Sequence, residues 1–456
     1  MNFSIYDTQS REVKPVNVVD RPIHIYCCGP TVYRDAHVGN LRTFLLADLI
    51  SRTLKLLGQK VILIQNITDV GHMSEDFEEQ DKLLSQAKLE KSDPFAIARK
   101  YEEKFHADLA HLNIQTADKY PRASETIDGM LSSIQNLIDN ESAYVAESGS
   151  VYFSAQSFPS YGAISGNRLE SLKPGHRYEY SGDGEKRFHA DWALWKSAGN
   201  RTEMVWESPW GRGFPGWHIE CTAMSLDLLA QHIDIHVGGI DLRFPHHENE
   251  RAQSNSIIGK EAVDLWVHGE HLLFEGRKMS KSANNVVLVA DLISQGIDPL
   301  ALRLALLENR YRSQMDLTWD SLRAANTTLM RWRTAMATWG ESQNFLADAE
   351  IQTALIEDLD TPRAVLRLRA IEKDLSISPE RKREIFNFVD QVFALDLSRK
   401  VEVKPLSKEQ MDLVQSRANA RADKNWAESD RLRDVLAAEG IAVSDGPQGQ
   451  SWNWIS

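Results

Sequence analysis

A strand, a loop, a helix and a second strand follow one another near the start of the chain. The segment His24–Cys28 is short and apolar, as a buried strand is, and Gly29-Pro30 ends it. Apolar residues then recur with largely helical spacing from Leu41 to Leu57, and residues 60–65 are again strand-like. Such a βαβ unit predicts a parallel sheet that binds ligands at the carboxyl ends of its strands, where the loop 29–40 lies.

The rest of the chain divides into regions of different pattern. Residues 94–140 are mainly helical in pattern, whereas 144–197 contain short strand-like pieces, many Gly and Ser residues and no sustained helical period. Strand character returns at Ile233–Val237, so we interpret the intervening stretch as an insertion that splits the sheet domain. Helical spacing prevails from Asp316 to Leu397, as in a helix bundle. Pro405 indicates a linker to a small unit with one long or interrupted helix over residues 408–439.

We therefore predict an α/β fold class: a split, Rossmann-like parallel-sheet domain with an insertion, followed by an α-helical bundle and a small C-terminal domain. The length of 456 residues agrees with several domains, because one domain typically takes roughly 100–200 residues. The predicted boundaries are 1–120 and 201–270 for the two halves of the sheet domain, 121–200 for the insertion, 271–320 for a lysine-containing loop region, 321–400 for the bundle and 405–456 for the C-terminal domain.

Composition excludes several classes of protein. Three cysteines, Cys27, Cys28 and Cys221, are too few for a secreted disulfide framework. A net charge of −13 argues against a protein that coats nucleic acid non-specifically, although it leaves a specific RNA partner open. No apolar run approaches the roughly 18 residues of a membrane span, and the first residues do not resemble a signal peptide. We expect a cytoplasmic protein without a membrane partner.

Two short motifs could bind phosphate. His37-Val38-Gly39-Asn40 lies where the first loop enters the first helix, so its side chains and backbone N–H groups could face an anion at the helix N-terminus. Lys278-Met279-Ser280-Lys281-Ser282 could close over a triphosphate and stabilise the leaving pyrophosphate. Taken alone, the first is better explained by an ordinary helix entry and the second by a solvated surface loop.

A third set of residues has the chemistry of a metal site. In a helix, His246 and Glu250 would share one face, and with Cys28 and Cys221 they would supply the two thiolates, imidazole and carboxylate of a plausible zinc shell. Spacing alone leaves open that the cysteines are small buried residues and that the histidines form a polar cluster.

Taken together, these segments resemble the cysteinyl-tRNA synthetases, which are class I aminoacyl-tRNA synthetases, from the first strand to the last residues. The two phosphate motifs look like the two class I signatures. The cysteine-specific resemblance is carried by Tyr26–Tyr33, Asn66–Asp69, Pro215–Cys221 and Phe244–Glu250. Arg421, Trp426, Asp430 and the segment Asp445–Gly449 resemble the part of the family that reads the anticodon.

The resemblance implies an enzyme that activates cysteine with ATP and joins it to the 3′ end of tRNA(Cys). It implies one Zn²⁺ per chain, on Cys28, Cys221, His246 and Glu250, and Mg²⁺ accompanying ATP. Catalytic roles are expected for His37, Asn40, Lys278 and Lys281; ATP contacts for these four and Gly39, Asp241 and Ser280; cysteine contacts for Gly29, Thr68, Trp217 and His236; and anticodon contacts for Arg421, Trp426, Asp430 and Asp445. Residues 271–320 would include a contact with the tRNA stem.

Two residues depart from the family pattern: Asn40, where a second histidine is most common, and Asn284, where Gly is common. One alternative is a related ligase that joins cysteine to an amino sugar, but such enzymes lack the anticodon-reading end. A second is a catalytically silent tRNA binder, against which the intact lysine and zinc positions argue. We expect a monomer.

Overall fold

The computed structural model describes residues 2–17, 20–70, 81–172, 184–279, 285–401, 406–446 and 449–454. Its strands are β1 (Ser4–Asp7), β2 (Glu12–Pro15), β3 (Ile23–Cys27), β4 (Val61–Gln65), β5 (Ala143–Val145), β6 (Val151–Phe153), β7 (Trp192–Ser197), β8 (Gly213–Pro215), β9 (Ile233–Gly239), β10 (Val263–Gly269), β11 (Leu272–Phe274), β12 (Arg277–Lys278), β13 (Met315–Leu317), β14 (Ile441–Gly446) and β15 (Gly449–Trp454).

The helices run between and after these strands. They are α1 (Val38–Leu56), α2 (Lys82–Glu90), α3 (Pro94–His111), α4 (Ile127–Asp139), α5 (Trp217–Leu228), α6 (His246–Ile258), α7 (Val289–Ser294), α8 (Pro299–Leu307), α9 (Trp319–Thr338), α10 (Ala349–Ile356), α11 (Thr361–Lys373), α12 (Pro379–Phe393), α13 (Lys408–Ala422) and α14 (Trp426–Ala438). None of the helices in these described ranges is long and apolar enough to cross a membrane.

A parallel sheet of β10, β9, β3 and β4, in that order, forms the centre of the fold. The strand, helix and strand predicted near the start of the chain are β3, α1 and β4, so the βαβ unit is confirmed. Strands β3 and β9 are neighbours, with Tyr26 opposite His236, although the insertion separates them in sequence. The carboxyl end of β3 therefore lies beside the chain that leaves β9, and the predicted splitting of the sheet is confirmed.

The insertion forms its own antiparallel sheet in the order β5-β6-β7-β8. Its last strand, β8, lies beyond residue 200 and leads through Gly216 into α5. This connection places the start of α5 next to the ends of the parallel strands, where β9 and α6 follow.

Buried arginines fix α1 against the chain segments that follow β10. The Arg42 guanidinium donates to the carbonyl oxygens of Glu270, His271, Arg310 and Ser313 at 2.8–3.0 Å. Farther along α1, Asp48 forms a fully buried ion pair with Arg303 of α8 at 2.6 Å. These contacts hold the first turn of α1 in a fixed place relative to β11 and β12, which carries Lys278.

The C-terminal unit has an apolar core separate from that of the main body, built on Leu406, Leu436 and Ile441. The helix predicted over residues 408–439 is interrupted, because α13 ends at Ala422 and α14 begins at Trp426. The hairpin β14–β15 packs on this helix pair.

Candidate functional site

The four predicted metal ligands meet at the carboxyl end of β3. Cys28 follows that strand, Cys221 lies on α5, and His246 and Glu250 lie one turn apart at the start of α6. One potential ligand atom from each lies within 4.8 Å of the others, and all four residues are buried. The Glu250 Oε1 atom is 2.8 Å from His246 Nε2 and 3.5 Å from Cys28 Sγ. Atoms bound tetrahedrally to zinc at about 2.0–2.3 Å lie roughly 3.3–3.8 Å apart, so this donor set fits zinc with small movements.

The electrostatics of this cluster suit a cation. Burial raises the pKa of Glu250 and of Cys28 well above the ordinary values. The hydrogen bond with Cys28 lowers the pKa of the Cys221 thiol to about 7 against the opposing effect of burial. A bound divalent cation favours the anionic forms of all three groups, as metal ions do for thiols and carboxylates.

A second group of ligand atoms overlaps the first and was not predicted. His236 and His247 lie near Cys28, with their Nε2 atoms 3.4 and 3.3 Å from its Sγ, and His236 Nε2 is 3.5 Å from Glu250 Oε2. These four residues also bring one ligand atom each within 4.8 Å of the others. His236 was predicted as a cysteine contact; it lies behind the cluster, stacked on Trp266 at 4.5 Å.

A chain of buried histidines supports the cluster. The Nδ1 atom of His247 lies 2.8 Å from His268 Nε2, and His268 Nδ1 lies 2.8 Å from Thr8 Oγ1. On the other side, His218 Nδ1 lies 2.8 Å from His246 Nδ1, which leaves His246 Nε2 facing Glu250. Burial lowers the pKa of His236, His247 and His268, the last to about 3. The three rings are therefore neutral, and their hydrogen bonds orient the ligands as second-layer partners do at metal sites.

The cluster forms one wall of a cleft of about 370 Å³ at the carboxyl end of the sheet. The cleft brings together most of the residues that the sequence selected for ATP and cysteine, which are Gly29, His37, Gly39, Asn40, Thr68, Trp217, Asp241 and Lys278, and three of the predicted zinc ligands, Cys28, Cys221 and His246. Ser280 and Lys281, and with them Asn284, lie outside the described residues. The two signature segments adjoin each other, since a Cβ on Gly39 would lie 2.8 Å from the Met279 Cε atom.

His37 caps α1 and offers a hydrogen-bond donor to the cleft. Its Nδ1 accepts the backbone N–H of Asn40 at 3.3 Å, and the Asn40 Oδ1 accepts the backbone N–H of His37 at 3.2 Å. Burial and the nearby Arg34 guanidinium lower the pKa of His37 to about 4. The neutral ring that accepts at Nδ1 carries its proton on Nε2, which can donate to a phosphate oxygen.

Asn66, a residue of the cysteine-specific segments without a predicted role, holds two of the predicted cysteine contacts. Its Oδ1 accepts the backbone N–H of Gly29 at 2.8 Å, and its Nδ2 donates to Thr68 Oγ1 at 3.1 Å. A Cβ on Gly29 would lie 1.6 Å from the Asn66 carbonyl oxygen, so only glycine fits there. The Trp217 ring stands 4.2 Å from the His246 ring and closes the pocket beside the cluster.

Three of the four predicted anticodon residues lie together in the C-terminal unit. The Arg421 guanidinium lies 5.3 Å from the ring centre of Trp426, and its Nε is 3.1 Å from Asp445 Oδ1. Asp430 instead pairs with Arg433 on its own helix, at 3.3 Å. An exposed aromatic ring with a guanidinium on its face is a surface on which an unpaired base can stack.

Comparison with known proteins gives matches over nearly the whole chain. Residues 14–327 match the family model of the class I (C) tRNA synthetase catalytic domain, and residues 404–452 match that of the cysteinyl-tRNA ligase anticodon binding domain. A cysteine–tRNA ligase of Thermus thermophilus is 39% identical, with 99% of each chain covered. That of Chlamydia trachomatis serovar A is 37% identical, with 98% of this chain and 99% of the relative covered.

Solved structures support the fold at low sequence identity. The methionyl-tRNA synthetase of Mycobacterium tuberculosis in complex with methionyl-adenylate has a TM-score of 0.55 and 14% identity, covering 82% of this chain and 89% of that one. The LeuRS of Agrobacterium radiobacter K84 in a ternary complex has a TM-score of 0.58 and 10% identity, covering 82% and 83%. The predicted α/β fold class is thereby confirmed.

Proposed function

The chain belongs to the cysteine–tRNA ligases, class I aminoacyl-tRNA synthetases that activate an amino acid and charge tRNA with it, and on that premise we propose that one zinc ion on Cys28, Cys221, His246 and Glu250 selects the substrate. The observation that carries this proposal is the convergence of four ligand atoms within 4.8 Å at the wall of the cleft. When bound, zinc would add the cysteine thiolate as a further ligand, which the poorly acidic hydroxyl of serine cannot replace. Such a difference far exceeds the ~1–3 kcal/mol that a missing methylene provides, so a separate editing step is unnecessary.

The residues around the cluster would hold the rest of the substrate. Thr68, fixed by Asn66, can hold the α-amine, and Gly29, whose lack of a Cβ lets it lie against the Asn66 carbonyl, would line the pocket for the amino acid. Trp217 would shape the pocket beside His246. His236 lies behind the cluster, so we assign it to holding Cys28 and Glu250 in place.

The activation step requires no protein nucleophile. The cysteine carboxylate attacks the α-phosphorus of ATP, and pyrophosphate leaves, with Mg²⁺ accompanying the nucleotide. His37 would donate from Nε2 to the phosphates, Asn40 and Gly39 would form the adjacent turn, and Lys278 with Lys281 and Ser280 would stabilise the leaving group. Asp241, exposed at the rim of the cleft, would contact the nucleotide.

The second step transfers the cysteinyl group to the terminal ribose of the tRNA, and we propose tRNA(Cys). Support for a tRNA substrate comes from the C-terminal match over residues 404–452, which also favours this activity over ligation to an amino sugar. The domain boundaries given above, the monomeric state and the cytoplasmic location stay predictions.

The zinc proposal is tested with Cys28→Ser and a matched control, Cys27→Ser. Cys27 is the adjacent buried thiol; its Sγ lies 3.8 Å from Gln65 Nε2 and 3.7 Å from the Cys28 carbonyl oxygen, and it is not one of the ligand residues. We expect about one zinc per chain in the unaltered protein and in the control, and a strong preference for cysteine over serine in amino-acid-dependent ATP–pyrophosphate exchange. Cys28→Ser should lose both the bound zinc and the preference for cysteine over serine. Retained selectivity after loss of the metal would refute the proposal.

A further inference from the structure

The C-terminal unit contains a buried arginine that the sequence motifs do not include. Arg417 lies on α13 and is 2% exposed. The apolar core around it is small, with Leu406, Leu436 and Ile441 as its buried members. A charged side chain is rarely buried this far without several partners, so its contacts indicate what it holds in place.

Arg417 binds two residues that face each other across the hairpin. Its two terminal nitrogens lie 3.0 and 2.9 Å from the two carboxylate oxygens of Asp445. It also donates to the side-chain oxygen of Gln450. Asp445 and Gln450 are directly opposite in the β14–β15 register, and the Gln450 amide donates to the Val414 carbonyl at 2.7 Å. One guanidinium therefore fixes the end of the hairpin to α13.

Asp445 extends this network towards the surface. Arg421, one turn after Arg417 on α13, lies with Nε 3.1 Å from Asp445 Oδ1 and with its guanidinium over Trp426. Side-chain exposure rises along the series, from 3% for Arg417 to 32% for Asp445 and 36% for Arg421, and Trp426 is 55% exposed. The network thus runs from a rigid interior anchor to an exposed ring.

We propose that Arg417 is a positioning residue for tRNA binding: through Asp445 it holds the Arg421 guanidinium on the face of Trp426, so that the surface for an unpaired base is formed before the tRNA arrives. The proposal rests on the proposed role of this unit in reading the anticodon. It also changes the role predicted for Asp445. Two arginines already occupy both of its oxygens, so Asp445 acts as the link between Arg417 and Arg421 rather than as an independent contact to a base.

Preformation has a measurable effect on affinity. A long side chain that must be ordered during binding weakens the complex by about two- to tenfold. Lysine in place of Arg417 keeps the charge but cannot make the bidentate contact with Asp445 while also binding Gln450. We expect Arg417→Lys to raise the KM for tRNA by about three- to tenfold, with kcat of charging and the tRNA-independent pyrophosphate exchange within about twofold of the unaltered enzyme.

Two further variants keep the test decisive. Asp445→Asn should raise the KM for tRNA by a similar factor, and the double variant by little more, because both changes break one network. Arg431→Lys is the matched control: it alters an exposed pair with Glu428 at 2.7 Å on α14, and the KM should not change. Thermal unfolding of each variant checks that the unit remains folded.

Several outcomes would overturn the proposal. An unchanged KM for tRNA in folded Arg417→Lys would do so. A raised KM in Asp445→Asn alone would show that Asp445 contacts RNA without Arg417. A parallel loss of charging and of pyrophosphate exchange in Arg417→Lys would indicate general damage to the fold. Failure of the unaltered enzyme to charge any tRNA would instead refute the proposed function and is seen before any variant is made.

Discussion

The role of His37 in the activation step leads to a prediction with two variants. His37→Ala removes the Nε2 donor and the cap on α1, whereas His37→Asn removes the donor but keeps a residue that ranks among the best N-caps. Loss of one donor to a developing phosphate charge costs about 10²–10³ in kcat. We therefore expect both variants to lose this factor in cysteine-dependent pyrophosphate exchange, and only His37→Ala to lose a further ~1 kcal/mol of stability.

The pKa of His37 adds a dependence on pH. Burial and the Arg34 guanidinium lower the pKa of His37 to about 4. The ring therefore stays neutral in the folded protein at pH values near 6.5, where an ordinary histidine takes up a proton. The stability that the neutral ring contributes is present above the unfolded pKa near 6.5 and is lost as the pH falls through about 4. Protonation would also place a hydrogen on Nδ1 and break its bond with the Asn40 N–H.

The assay is the ratio of kcat/KM for ATP in the unaltered enzyme to that in His37→Asn, because kcat/KM reports the free enzyme and the ratio cancels every other titrating group. We expect a constant ratio between roughly pH 5 and 8. A ratio that changes with a midpoint near 6.5 would refute the neutral state of the ring. Equal stability of the Ala and Asn variants would refute the capping role.

Three further predictions concern the packing that supports the site. Gly29→Ala should abolish cysteine-dependent exchange and cost more than about 3 kcal/mol, because its Cβ would lie 1.6 Å from the Asn66 carbonyl oxygen; a full-activity variant would refute this. Asp48→Asn leaves the Arg303 charge buried without this carboxylate. The free energy of unfolding should fall by about 3–5 kcal/mol, which is measured as a lower melting temperature. Asp320→Asn, the control in an exposed pair with Arg323, should change the melting temperature little. Burial raises the pKa of Asp7, but hydrogen bonds from Ser10, Trp266 and Lys14 outweigh this effect and lower the pKa below 3.8. The stability that the Asp7 carboxylate contributes is therefore present above pH 3.8 and is lost as the pH falls below it. In Asp7→Asn, the melting temperature should depend less on pH in this range.

Local sequence pattern was sufficient for the elements that carry the site. The strand at residues 24–28, the helix that follows and the strand at 60–65 were predicted within a few residues of β3, α1 and β4, because alternating and helical periods are properties of short segments. The spacing of four between His246 and Glu250 places both on one face if the segment is a helix, and the structure has that helix as α6. The interruption between α13 and α14 was left open, because Asp423–Asn425 gives no Pro or Gly signal, although Lys424 adopts a left-handed backbone.

Residues whose role depends on contacts with distant parts of the chain could not be predicted from local sequence pattern. His247 follows a predicted ligand directly, but only the fold shows that it points at Cys28 and links to His268 and Thr8, which come from β10 and the chain start. Arg417 is one basic residue among many in a helical segment. Its role follows from burial and from the pairing of Asp445 with Gln450, which depend on strand register.

The structure gives Asn40, which differs from the histidine common in the family, a role that the sequence did not indicate. From the sequence, Asn40 was only a departure from the family pattern, in which a histidine is more common at this position. In the fold, Asn40 occupies the third position of α1, and its side chain accepts the backbone N–H of His37 while its own N–H binds the His37 ring. This reciprocal capping fixes the tautomer of His37 that can donate to phosphate. In the proposed mechanism Asn40 would therefore act on ATP partly through His37, so a replacement that cannot accept this hydrogen bond should impair the histidine as well as the contact at position 40.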